Sequence, residues 1–186
     1  LAMATFEKTK IFRFRQFAGN VRTRQARRKV SEAKRMLDAA PGEELLKSIF
    51  ETESRSLIEL EVEELKLCVE NYPTELSWKY ELGKRFFELG RYEDAIGQFQ
   101  EAQSDPRVRG RVLHMLGLSF LKCELLDESI ETFRRALEVP DLLPDDQRDV
   151  RYDLCCALQS SGEVHRNLAA AEEAEKIASQ ILIQAI

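Results

Sequence analysis

The chain has 186 residues, 44% hydrophobic and 33% charged, which is long enough to bury a core without disulfides or metals. Eight glycines and five prolines are too few for a turn-rich β-sandwich or barrel, and no apolar run approaches the roughly 18 residues that span a bilayer. The net charge of −5 is unevenly spread: residues 1–35 carry eleven Lys/Arg against two acids, and the remainder carries 17 Lys/Arg against 31 acids.

The first 20 residues hold four Lys/Arg and no apolar run of seven, so no signal peptide is read there. A first residue of Leu rather than Met points to a chain cut at its start. Residues 4–39 are helix-prone, with Gly19-Asn20 as the expected break between two helices. Phe6, Phe14, Phe17, Val21, Val30, Ala33 and Leu37 are expected on one apolar stripe. Arg13, Arg15, Arg22, Arg24, Arg27, Arg28, Lys29, Lys34 and Arg35 occupy the other faces. Cations interleaved with Phe12, Phe14 and Phe17 suit phosphate contacts and base stacking, or an anionic lipid surface. The plainer reading is that the basic helix packs on the acidic remainder or on a neighbouring chain, and the opposite charges favour it.

Pro41-Gly42 is the clearest boundary. From Glu43 to Asn71 there is neither Gly nor Pro, and helix formers dominate. As one helix this stretch extends about 43 Å at about 1.5 Å per residue. Its apolar positions include Leu46, Ile49, Phe50, Leu57, Ile58, Leu65, Cys68 and Val69, and Pro73 ends it.

Beyond it the sequence repeats. Leu82, Gly83, Phe86, Ala95, Ile96, Phe99, Ala102 and Pro106 recur 34 residues later as Leu116, Gly117, Phe120, Ser129, Ile130, Phe133, Ala136 and Pro140. Seven of the eight are identical and no gap is needed. Helical spacing holds on both sides of Gly90, which marks the turn between two helices. Gly83 and Ala95 are small where the paired helices must approach, and Pro106 and Pro140 are placed to stop each second helix. Counting back 34 residues puts Val62, Leu65 and Cys68 under Ile96, Phe99 and Ala102, so the upstream helix ends like a second helix of the same repeat. A capping helix laid on the first repeat is preferred over a full extra repeat.

The pattern resembles the tetratricopeptide repeat, a helix–turn–helix unit of 34 residues; Trp78 sits one place before the family's usual aromatic position. The resemblance implies an all-α solenoid of about three such repeats preceded by long N-terminal helices. The chain then divides into a basic helical arm over 1–41, a long capping helix over 42–73 and an array over 74–186, with repeats near 76–109, 110–143 and 148–186. The third unit follows four extra residues within Asp141–Gln147. Leu154, Leu158 and Gly162 fit its first helix and Ala174 its second, but Asn167 stands where Ala is expected and Ala171 where an aromatic is. Ile181, Leu182, Ile183 and Ile186 give the chain an apolar end, which suits a chain cut short, further repeats beyond, or an oligomer contact. By overall pattern the chain also resembles uncharacterised bacterial repeat proteins in which a long helix precedes two or three such units.

Chemistry is sparse. There is no phosphate loop, nucleophile elbow or His-Glu-x-x-His, so neither catalysis nor a cofactor is expected. Glu63-Glu64 and Glu172-Glu173 are i,i+1 neighbours on helices and cannot share a proton. His114 and Cys123 stand about 13 Å apart by helical rise. Cys68, Cys123, Cys155 and Cys156 form no Cys-x-x-Cys pair and lie far from the two histidines at any metal-site spacing, so no metal is expected. Reduced, buried thiols in a cytoplasmic compartment are the simple reading.

In tetratricopeptide arrays the first helices line a concave groove. Carried over by position, the resemblance implies groove residues Ser77, Tyr80, Lys84, Phe87 and Glu88, then Arg111, His114, Leu118, Leu121 and Lys122, then Asp149, Tyr152, Cys156 and Gln159. Tyr80, His114 and Tyr152 form a column that either anchors a ligand or packs on the upstream helices. Family members that clamp chaperone tails carry an Asn where this chain has Lys84, Leu118 and Cys156, which speaks against that sub-class. The expected function is a protein-interaction scaffold taking a peptide or partner helix in the groove. Self-assembly into a homo-oligomer, and nucleic-acid or membrane-surface binding through the arm, rank behind it.

Overall fold

The computed structural model describes every residue except Leu1, Lys10, Asp141, Arg166, Asn167, Ala185 and Ile186. Side chains are also not described for Lys8, 163–165, 168, 170–171 and 182–184. Among the described residues there are nine helices and no strand: α1 Ala2–Thr9, α2 Phe12–Ala39, α3 Glu44–Asn71, α4 Leu76–Glu88, α5 Tyr92–Ala102, α6 Arg109–Lys122, α7 Leu126–Leu137, α8 Pro144–His165 and α9 Leu168–Gln184. They form two compact units, Leu1–Leu89 and Gly90–Ile186, so the division falls inside the first predicted repeat.

In the first unit α2 lies along α3, and α3 also carries α4. The expected break at Gly19-Asn20 does not occur. α2 runs straight through it, and the chain instead turns at Ile11, which has φ −79 and ψ 110. Gly19 serves packing, not bending: a Cβ there would collide with the Glu64 carboxylate of α3. The single apolar stripe is also corrected. At about 100° per residue, Val30, Ala33 and Leu37 fall on the side opposite Phe14, Phe17 and Val21. Ala33 is accordingly buried, while Phe14, Phe17 and Val21 are exposed. α3 is unbroken and stops two residues before Pro73.

In the second unit each helix packs on the next from α5 to α9, and α6 also touches α8. Phe99, Ala102, Val112, Leu113, Leu116, Phe133, Ala136, Val150, Leu154, Ala157 and Leu158 are all essentially removed from solvent. Each larger side chain among them contributes on the order of 1.5–3 kcal/mol of burial free energy. The α6–α7 pair shows why the repeat needs small residues. A Cβ on Gly117 would come 2.5 Å from the Phe133 ring, and the buried Ser129 hydroxyl donates to the Gly117 carbonyl at 2.9 Å. α7 opens with Asp127 and Glu128 and closes with Arg134 and Arg135, each suited to its end of the helix dipole. α5 and α7 end at Ala102 and Leu137, ahead of Pro106 and Pro140, which sit in the following connections. Of the extra residues before the third unit, Leu142 is buried and sits over Gly110 at the start of α6. Leu154, Leu158 and Ala174 are buried as the repeat requires; Asn167 and Ile186, and the side chains of Ala171, Leu182 and Ile183, lie outside the described residues.

Candidate functional site

The predicted groove residues fall in both units. Arg111, His114, Leu118 and Lys122 all project from α6, and Tyr152 from the neighbouring α8. His114 Nε2 meets Asp153 Oδ2 at 2.6 Å, and its ring stands edge-on to Phe133 with centroids 5.9 Å apart. This contact ties the first helix of one repeat to the first helix of the next. Beside it Tyr152 is 62% exposed, and Arg111 and Lys122 are exposed as well, while Leu118 is half-buried. Cys156, one turn along α8, pushes the Tyr152 phenol above its ordinary pKa through its charge and a hydrogen bond. The phenol therefore stays a neutral donor at physiological pH. Asp153 was not singled out in the sequence; an acid one place beyond a groove position is the only signal it leaves.

Tyr80, Lys84 and Phe87 belong to α4 in the other unit. The Lys84 ammonium lies 5.1 Å from the Tyr80 ring centroid and 2.9 Å from Glu81 Oε1, so it is already engaged within its own helix. Tyr80 and Phe87 are half-buried.

The arm cations split into two sets. Arg15 and Arg22 both donate to Glu64, at 2.6 and 3.2 Å. Arg27 donates to Glu61 Oε1 at 2.7 and 3.0 Å, and Arg85 Nε lies 2.6 Å from the other oxygen of the same carboxylate. Glu61 is 8% exposed, so two guanidiniums offset the cost of burying it. Phe12 likewise turns inward, edge-on to Tyr72 at 5.6 Å. Arg13, Arg24, Arg28 and Lys29 remain exposed and hold no ion pair among the described residues. Glu61 was not singled out in the sequence. Glu64, one of an adjacent carboxylate pair expected on a solvated face, instead has a side chain 14% exposed and held by Arg15 and Arg22.

A cavity of about 210 Å³ opens between α2 and α4 over α3, lined by Gln16, Asn20, Thr23, Glu61, Cys68 and Trp78 among others. All four cysteines are free, and burial raises the thiol pKa of Cys68, Cys123 and Cys155. Among the described residues no three His, Cys, Asp or Glu side chains converge as a metal site, and no helix is long and apolar enough to cross a membrane.

The sequence matches no protein-family model and no curated protein. Solved structures do resemble it. MamA superposes with a TM-score of 0.59 at 20% identity, over 84% of this chain and 86% of that one. A Podosopora anserina chain of kinesin-light-chain type, built of nearly identical TPR-like repeats, gives 0.57 at 13% identity, over 92% and 93%. The fold is of the tetratricopeptide type. PilF of Pseudomonas aeruginosa superposes with a TM-score of 0.54 at 18% identity, over 88% of this chain and 72% of that one. In this setting the 34-residue period and the close Gly117–Phe133 approach of α6 and α7 are features of a helix-pair design.

Proposed function

We propose that the chain is a protein-interaction scaffold and that the α6–α8 face of its second unit receives a peptide or helix from a partner. The observation that carries this reading is the His114–Asp153 bridge beside a well-exposed Tyr152. The bridge holds two adjacent first helices in register, so the aromatic anchor is presented on a rigid surface and little entropy is lost on binding. Arg111 and Lys122 on the same helix favour a partner segment carrying carboxylates or a free C-terminus. The tetratricopeptide-type fold supports a scaffold in general; the partner is part of the proposal.

The test compares Tyr152→Ala and the double substitution Arg111→Glu/Lys122→Glu with the intact chain, using peptides selected for binding to it. A central aromatic anchor is worth about 2 kcal/mol or more, so Tyr152→Ala should weaken binding at least about thirtyfold. Because Tyr152 is exposed, the melting temperature should not move. Peptides that bind both variants as tightly as the intact chain would refute the assignment.

A further inference from the structure

α2 has two faces, and only one is used inside the first unit. The inner face gives Arg15, Gly19 and Ala33 to the packing on α3. On the opposite side Phe14, Phe17 and Val21 recur at helical spacing, with Phe17 61% and Val21 41% exposed. The same side continues as Arg24, Arg28 and Arg35, all exposed, with Arg13 and Lys29 at its margins. No acidic residue occurs between Glu7 and Glu32. The face is therefore segregated along its axis: an apolar part from Phe14 to Val21 about 11 Å long, then the Arg24–Arg28 pair about 6 Å apart, with Glu32 and Arg35 following on the same side, at about 1.5 Å per residue. Beside the junction lies a cleft of about 530 Å³ lined by Phe17, Asn20, Val21, Thr23, Arg24 and Arg27.

We propose that this outer face of α2 docks an acidic amphipathic helix of a partner protein, apolar along one half and rich in Asp or Glu along the other. Three features select that occupant. The lengthwise segregation matches a rod lying along α2; a bilayer would meet every part of the helix at the same depth and has no use for it. The cleft offers depth for a large side chain of a partner, as a helix-in-groove contact requires. A single strand of nucleic acid would use a longer run of aromatic platforms than Phe14 and Phe17, but Val21 is aliphatic and Phe12 is spent on Tyr72. The charge complementarity is direct, because the Arg24–Arg28 end holds no carboxylate partner of its own among the described residues. The site lies in a different unit from the α6–α8 face, so a scaffold with both surfaces engages two partner segments.

The experiment is selection of helical peptides from a displayed random library on the intact chain. Enrichment of peptides with apolar residues at helical spacing in one half and Asp/Glu in the other is expected. Their affinity should fall at least about tenfold with Phe17→Asp and, separately, with Arg24→Glu/Arg28→Glu, while Tyr152→Ala leaves it unchanged. Peptides with Lys in place of Asp/Glu should regain affinity for the charge-reversed double variant. The altered side chains are exposed, so helix content and melting temperature serve as folding controls. The proposal falls if no acidic peptide is enriched, or if the enriched peptides bind both variants undiminished. It falls equally if phosphatidylserine vesicles or a dT oligonucleotide bind more tightly than any enriched peptide and lose that binding with the same substitutions.

Discussion

Single atoms decide how closely the repeat helices approach. Gly117 faces three carbons of the Phe133 ring, at 2.5 to 3.0 Å from where a Cβ would sit, and that ring is fully buried and cannot swing away. Gly117→Ala should therefore destabilise the protein by about 1–3 kcal/mol through overpacking. Gly97 in α5 is the control, since nothing lies within 4 Å of its missing Cβ. Gly97→Ala should stabilise by about 0.5–1 kcal/mol, because alanine loses less conformational freedom in a helix. Urea midpoints that moved the same way for both would contradict the packing argument. Asp105 is a second residue-scale case. Its carboxylate accepts hydrogen bonds from the Arg107 guanidinium and backbone N–H, which hold its pKa below the ordinary carboxylate range. A lowered native pKa means the contribution is complete above about pH 3.9 and drains away as pH falls through the native value. Asp105→Asn should be less stable at neutral pH, with a shallower loss of stability below pH 4. An acid limb identical to that of the intact chain would exclude the ion pair as its source.

At the scale of helices and turns, the repeat register predicts its own weak point. Gly90 has φ +74 in the turn before α5, and 34 residues later Glu124 takes φ 62 in the turn before α7. The second turn needs the left-handed conformation but has a Cβ, which costs on the order of 1 kcal/mol. Glu124→Gly should accordingly raise the unfolding midpoint by the equivalent of about 0.5–1 kcal/mol. Calorimetry showing no gain would mean that contacts of the Glu124 side chain compensate. The same register explains how much the sequence disclosed. Positions that recur for packing, such as Leu116, Phe133 and Ala136, were legible because helix pairing demands one residue size at a fixed spacing. The course of α2 was not legible. Gly19 reads locally as a breaker, and only the Glu64 carboxylate of another helix shows why a glycine is required inside a continuous one. The two faces of α2 were merged for a related reason: apolar residues spread from Phe14 to Leu37 give no phase until each is placed at about 100° per step. For the candidate site, exposure of Tyr152 followed from its repeat position, but the Asp153 partner of His114 is a contact between two helices and leaves no periodic trace.

At the scale of the whole molecule, charge separation in the sequence becomes a division of labour. Part of the basic excess of residues 1–35 is consumed by Glu61 and Glu64, which fasten α2 to α3, while Arg24, Arg28 and Arg35 stay on the outer face. Glu61 matters most, since it is buried and joins cations from α2 and α4. Glu61→Gln keeps the shape but leaves the Arg85 guanidinium, whose side chain is only 21% exposed, with Glu88 at 2.7 Å as its remaining counter-charge. Removing this carboxylate should cost about 1–3 kcal/mol, less than breaking a fully buried pair because Arg27 remains solvated and Glu88 still faces Arg85. The chain forms two compact units, and helical repeats open cooperatively with their nearest neighbours. The loss should therefore be local. Amides of α2, α3 and α4 should exchange faster by native-state hydrogen exchange, while those of α6 and α7 keep their protection. Uniform acceleration across all helices would show that the two units unfold as one, and unchanged exchange throughout would show that the Glu61 bridge contributes nothing to stability.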